Sequence, residues 1–255
     1  MRYQSTTGLD SEQITELVGR VHVVLGEKSS RLGRPPVLGL YRQVVLVLAI
    51  MRQNITQSTA GDLFGVSQTT VSRVWRRLRP VLELVTAHHR PQVAEAFCKR
   101  TVLVDGTDVP TGNRAGGKPN YSGKRHRQGL SVQIAADLSG NLLAVSDPVA
   151  GAWGDRRAIA EIGWEDLLGA TTWVADLAYQ GTSAITPIKR RPGKELREDQ
   201  AARNRVVRGL RAAVERAIAH LKNWKMLAKG YRGLLTELPS VITTITNLEF
   251  YRLGW

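Results

Sequence analysis

Two stretches, Thr101-Val-Leu-Val-Asp-Gly-Thr107 and Thr171-Thr-Trp-Val-Ala-Asp176, decide how the second half of this chain is read. Each is a short apolar, β-branched run that ends on an acid: Asp105, followed by a glycine, and Asp176. Apolar runs of this length, bounded by turn residues, predict buried strands, and the first is expected to stop at the Asp105-Gly106 turn. Working outward, Leu130 to Asp137 and Leu142 to Asp147 alternate apolar and polar side chains around Ser139-Gly140-Asn141, the pattern of a β-hairpin. Helical spacing covers Asp155 to Leu168, an extended piece runs from Ala184 to Ile188, and a long helix is expected from about Lys194 to Leu227. A last amphipathic helix carries Val241, Ile245, Leu248 and Leu253.

Three strands, a helix, a fourth strand, an extended piece and a long helix make the order of an RNase H-like α/β fold. In that layout the first and fourth strands lie parallel and adjacent, and Asp105 and Asp176 converge on the crevice at their carboxyl ends. Glu215 lies in the long helix beside the face that Leu210, Val214, Ile218 and Leu221 set for burial, so its carboxylate can point toward the same crevice.

Residues 9 to 90 read differently, as helices punctuated by Gly and Pro, with Arg31 to Pro36 as a loop. The informative part is Ser58-Thr-Ala-Gly-Asp-Leu-Phe64, then Gly65-Val-Ser67, then a polar and basic helix from Gln68 to Arg79. A short helix, a tight turn at Gly65, a Ser67 cap and a second helix predict a helix-turn-helix. Ser67, Gln68, Thr69 and Thr70 are placed to reach base edges, and Arg73, Arg76 and Arg77 to meet phosphates. An ordinary helical hairpin with a solvated basic face is the alternative. The expected organisation is a helical helix-turn-helix region over residues 1–90 and an α/β catalytic domain over residues 91–255.

The charge balance agrees with a polyanionic partner. Lys and Arg number 36 against 22 Asp and Glu, a formal charge of +14. Between residues 189 and 232 there are fourteen Lys or Arg against four acids, which reads as a phosphate track rather than a scattered solvated face. Within and beside that track the candidates are Lys189, Arg190, Arg191, Arg211, Arg216 and Lys222, with Lys124, Arg125 and Arg127 forming a second basic wall. Double-stranded DNA is the expected partner. The single cysteine, Cys98, leaves no intramolecular disulfide, and the apolar run from Val44 to Met51 is far too short to span a bilayer. No membrane partner and a cytoplasmic, nucleoid-associated setting are expected.

Taken singly, each acid has an ordinary alternative: Asp105 as a turn residue, Asp176 as a helix cap, Glu215 as an i−4 partner of Arg211. Taken together, three carboxylates around one crevice need a counter-charge, because like charges so close cannot all stay ionised cheaply. Mg2+, with Mn2+ as a substitute, prefers such oxygen donors and keeps sites open for substrate phosphate. Two ions roughly 3.5–4 Å apart would clamp both oxygens of a phosphodiester being cut.

From about residue 55 onward the chain resembles the DDE transposases of bacterial insertion sequences, in the insertion-sequence-five group related to Harbinger elements. The matching stretches are Val104-Asp-Gly-Thr107, Tyr121-Ser-Gly-Lys124, Ala175-Asp176 with Tyr179-Gln-Gly181, and Val214-Glu-Arg216 followed by Leu221-Lys222. The acids stand 71 and 39 residues apart, similar to that family. The resemblance implies that Asp105, Asp176 and Glu215 are the catalytic and metal-binding triad and that Arg216 and Lys222 lie along the DNA. It implies cleavage at terminal inverted repeats and strand transfer into target DNA, by a homodimer or higher assembly on DNA. Where relatives have Lys-Gly after the second Asp this chain has Leu177-Ala178, and Gly154 stands where a His usually precedes the acid at Asp155. Two other functions compete with this: a nuclease of the same fold that cuts without joining, and a DNA-binding regulator or domesticated transposase without strand transfer.

Overall fold

The computed structural model describes residues 4–26, 36–115 and 117–255, so most of the loop expected at 31–36 lies outside the described residues. In chain order the helices α1 (Gln4–Thr7), α2 (Ser11–Gly26), α3 (Leu40–Gln53), α4 (Gln57–Phe64), α5 (Gln68–Thr86) and α6 (Val93–Phe97) precede the first strand. Then come β1 (Val102–Pro110), β2 (Tyr121–Ser122), β3 (Arg127–Ala136), β4 (Leu142–Val145) and β5 (Val149–Ala150). The chain closes with α7 (Asp155–Glu161), α8 (Trp164–Gly169), β6 (Trp173–Val174), α9 (Glu198–Lys222), α10 (Lys225–Ala228) and α11 (Leu238–Leu253). No helix among the described residues is long and apolar enough to cross a membrane.

Two compact units form: residues 1–90 with 222–255, and residues 91–221. The expectation that everything after residue 90 belongs with the sheet differs from this at the C-terminus, and the reason is packing. Helix α11 buries Leu238, Val241, Ile245, Leu248 and Phe250, and its polar seam meets α5. Thr244 Oγ1 donates to Glu83 Oε2 at 3.1 Å, and Asn247 Nδ2 donates to the Glu83 carbonyl at 3.2 Å. Amphipathic spacing gives α11 a face to bury but does not say against what.

In the first unit, α2 opens with a reciprocal cap: the Gln13 N–H donates to Asp10 Oδ1 and the Asp10 N–H to Gln13 Oε1. This satisfies donors that the first helical turn leaves free. Helix α3 is buried along nearly its whole length, as its apolar sequence requires. Helices α4 and α5 form the expected helix-turn-helix. Gly65 takes the left-handed conformation (φ 70°) that ends α4, and Ser67 caps α5 by accepting the Thr70 N–H.

The second unit is an α/β sheet. Strand β1 runs antiparallel to β3 from Leu103↔Ala136 to Pro110↔Gly129, β4 and β5 pair with β3, and β6 runs parallel to β1 with Val102 opposite Trp173. The first and fourth major strands are therefore adjacent and parallel. Val102 and Val104 face a core with Leu143, Ile159, Trp164, Leu168, Trp173 and Tyr179. Three local expectations need correction. Strand β1 does not stop at Asp105-Gly106 but continues to Pro110, because the β3 ladder pairs it throughout. The helix from Asp155 is two short helices broken at Gly163, which has φ 71°. The long helix starts at Glu198 and ends at Lys222, before Trp224 opens α10.

Candidate active site

Asp105 sits mid-strand in β1, and since side chains alternate along a strand it faces away from the core that Val102 and Val104 enter. Its Oδ1 accepts the Gly106 N–H at 2.8 Å. Its Oδ2 accepts from Arg211 Nη2 at 3.0 Å, a contact across 106 residues of sequence that ties α9 to β1. One turn farther along α9, Glu215 Oε1 stands 3.9 Å from the same nitrogen and its side chain is 61% exposed. Asp176 follows β6, and its Oδ1 accepts the Ala178 N–H at 2.8 Å, which caps a short 3-10 turn from Leu177 to Tyr179. The ordinary roles weighed for Asp176 and Glu215, a cap and an i−4 pair, are thus both present. Ala178 lies outside the left-handed region, so alanine carries no backbone penalty there.

A further acid joins them. Asp155, the first residue of α7, lays its carboxylate over the backbone of Gly106; a Cβ at Gly106 would stand 2.0 Å from Asp155 Oδ1. Gln133, fully buried opposite Gly106 in β3, reaches Asp155 Oδ1 with its Nε2 at 3.5 Å and accepts the Tyr179 hydroxyl through its Oε1. Asp155 thus occupies the face of β1 opposite Asp105. Sequence reasoning named Asp155 only as the acid that follows Gly154 and gave it no site role; a second signal was the glycine directly after the first acid, which marks a close approach whose partner no local pattern names. Asp108 was also missed. It is buried and accepts from both Arg125 and Arg127.

Burial pushes the Asp105 carboxyl above its ordinary range; the Arg211 guanidinium opposes this, while Asp176 and Asp155 add to it as like charges. Burial also raises Asp155, the Gln133 bond opposing it and Asp176 adding to it. Burial likewise raises the Tyr179 hydroxyl, with the three aspartates adding to the effect, so that it stays a neutral donor. Like-charged oxygens crowded into a part-buried crevice are the donor set that suits a hard divalent cation. Among the described residues, however, no three of His, Cys, Asp and Glu stand close enough to share one ion. At Asp105 the local positive charge is Arg211, whose Nε is buried with no hydrogen-bond partner. The donor chemistry fits a divalent ion, and the guanidinium holds one of the oxygens it would use.

The DNA-facing residues divide in the same way. Ser67, Gln68, Thr69, Arg73 and Arg76 lie exposed along the outer side of α5, with Thr70 half-buried beside the cap. Arg77 does not join them: it is half-buried and donates to Gln43, itself buried in α3. Its position on α5 turns it toward the helix core. Lys124, Arg125 and Arg127 are exposed, but the two arginines are held by Asp108. Lys189, Arg190 and Arg191 line a cleft of about 870 Å3 together with Lys194 and Arg203. Arg216 is exposed and reaches the Ser139 carbonyl at 3.4 Å, whereas Lys222 is half-buried and donates to the Leu227 carbonyl at 3.2 Å. Arg211 is 18% exposed and faces Asp105 instead of solvent.

Comparison with known proteins places these features. A family model described as a DDE superfamily endonuclease matches residues 104–249, and a second, described as the helix-turn-helix of that superfamily, matches residues 36–87. A putative transposase for insertion sequence element IS112 from Streptomyces albus G is 34% identical over 224 residues, 87% of this chain and 83% of the relative. A probable transposase for insertion sequence element IS702 from Microchaete diplosiphon is 27% identical over 219 residues, 81% of this chain and 78% of the relative. No solved structure is matched.

Proposed function

The chain belongs to the DDE superfamily of endonucleases, in the family of insertion-sequence transposases, and from that premise we propose that it cuts DNA at the ends of its element and joins the freed ends to target DNA. Water attacks a phosphodiester at the element end and frees a 3′-hydroxyl, which then attacks a phosphodiester of the target. Asp105, Asp176 and Glu215 would hold the ions, taken here to be two Mg2+ with Mn2+ as a substitute. When bound, such ions supply Lewis acidity and lower the pKa of the attacking water. The protein's own part is alignment. The exposed face of α5 reads duplex DNA, and Lys124, the Lys189-to-Arg191 loop and Arg216 track the phosphates of terminal repeats and target. The setting is the bacterial cytoplasm, on DNA, as a homodimer or higher assembly.

The observation that carries this reading is that Asp105 lies in β1 and Asp176 just after the adjacent parallel strand β6, with the helix bearing Glu215 tied to Asp105 through Arg211. Purified protein with Mg2+ and labelled element ends is expected to give cleaved and joined products. Asp105→Asn is expected to lower both by at least about a thousandfold while DNA binding in a mobility-shift assay stays within about twofold. Cleavage without joined product would identify a nuclease that does not transfer strands, and equal behaviour of parent and variant would remove the catalytic role from Asp105.

A further inference from the structure

We propose that Arg211 is an exchangeable counter-ion of the acid site: its guanidinium neutralises Asp105 and steadies Glu215, and it leaves Asp105 when a divalent cation takes that carboxylate. This rests on the metal-site reading above and deepens it, assigning to Arg211 a positioning role distinct from the phosphate contact its sequence context indicates.

Three observations carry the inference. First, both oxygens of Asp105 are engaged, one by the Gly106 N–H at 2.8 Å and the other by Arg211 Nη2 at 3.0 Å. An ion binding this carboxylate must displace one of them. The backbone N–H is fixed within a strand that the β3 ladder holds from Leu103 through Gly106 to Pro110, whereas the guanidinium hangs on a long side chain, so the exchange falls on Arg211. Second, the same Nη2 lies 3.9 Å from Glu215 Oε1. One cationic group therefore stands at both carboxylates that the metal-site reading assigns to β1 and α9, and supplies a charge of the sign an ion would bring. Third, Arg211 Nε is buried and has no hydrogen-bond partner. A permanent buried ion pair satisfies its donors, because an orphaned N–H loses its hydration and gains nothing in return. An arginine whose fork is only partly used is seated for occupancy that can end. One turn away on either side, Arg208 and Glu215 are exposed on α9, so the released side chain has a solvent-facing surface to move to, where a phosphate would complete its donors.

The test is Mn2+ binding to the full chain without DNA, measured by calorimetry or by the electron paramagnetic resonance of free Mn2+. Arg211→Gln is expected to bind Mn2+ about fivefold or more tightly than the parent, since the ion no longer competes with an internal cation. Arg211→Lys keeps the charge but loses the planar fork and is expected to fall between the two. An affinity in Arg211→Gln equal to or weaker than the parent's would overturn the proposal and make Arg211 a fixed strut. Should the glutamine variant fail to fold, the lysine variant decides alone: tighter binding supports exchange, and unchanged or weaker binding overturns it. Asp105→Asn, measured in parallel, separates the two levels. If it binds Mn2+ as the parent does, the metal-site reading itself fails. If it loses Mn2+ while the Arg211 variants gain nothing, only the exchange fails.

Discussion

The helix-turn-helix and the acid site solve opposite problems. In α4 and α5 each polar backbone end finds a partner within a few residues: Thr56 accepts the Thr59 N–H, Gly65 closes the turn, and Ser67 accepts the Thr70 N–H. The apolar side of α5, with Val71, Val74, Leu78 and Leu82, is buried, and the polar side is left for a partner. The acid site leaves its groups at odds with their surroundings. Asp105 and Asp155 are half-buried carboxylates whose proton affinity is raised, Asp176 adds a like charge to both, and the guanidinium on Asp105 keeps an orphaned donor. A surface that reads a ligand can be stable by itself, whereas a site meant to hold charge carries a cost until its ligand arrives.

That contrast breaks first at Gly106. Replacing it with Ala forces a Cβ into the Asp155 carboxylate, with Gln133 Nε2 also close at 3.1 Å. We expect Gly106→Ala to cost about 3 kcal/mol, roughly 6–12 °C in melting temperature, and to disturb cleavage with it. A calorimetric melt within 2 °C or so of the parent would mean that α7 moves aside freely and that the notch at Gly106 is unimportant. In the helix-turn-helix the loss of a single cap is smaller. Ser67→Ala removes one cap and should cost about 1 kcal/mol, with the DNA-facing residues of α5 still in place. A loss above about 3 kcal/mol in chemical denaturation would show that the turn is less self-contained than its hydrogen bonds indicate.

The smallest effect has the opposite sign. The folded protein raises the pKa of Asp155 through burial and Asp176, against Gln133, Lys124 and Arg125. A raised carboxylate favours folding below its unfolded pKa of about 4 and loses that contribution as pH rises through the folded value. At pH 7 the ionised group is therefore a net cost. Asp155→Asn should stabilise the protein by a few tenths of a kcal/mol to about 1 kcal/mol at pH 7, and by less at pH 4. Thermal melts at the two pH values check this. Destabilisation at pH 7 would indicate that Asp155 serves mainly the start of α7 rather than the acid cluster.

Much of the first region was legible because its determinants are local. Gly65, Ser67 and the polar face of α5 lie within one stretch of chain, and each acts over three or four residues. The placing of Arg77 was less legible, for the complementary reason. It belongs to the same basic run as Arg73 and Arg76, but the helix turns it toward Gln43, and only the position of α3 says so. The acid site was legible as residue types and not as contacts. Asp105 and Asp176 announce themselves by ending apolar runs, yet β1 continues past Asp105 because β3 supplies partners as far as Gly129.

The sequence by itself determined the two kinds of periodicity, the turn chemistry, the excess of positive charge and the acids on offer, since all of these depend on neighbours within a few positions. The tertiary structure alone decided three things: that α11 packs on α5, that Asp155 closes over Gly106, and that Arg211 turns from the expected DNA track onto Asp105. Each is a contact between distant segments, 106 residues apart for Arg211 and Asp105. Its energy depends on burial and on which charges share a crevice, and neither quantity exists until the chain has folded.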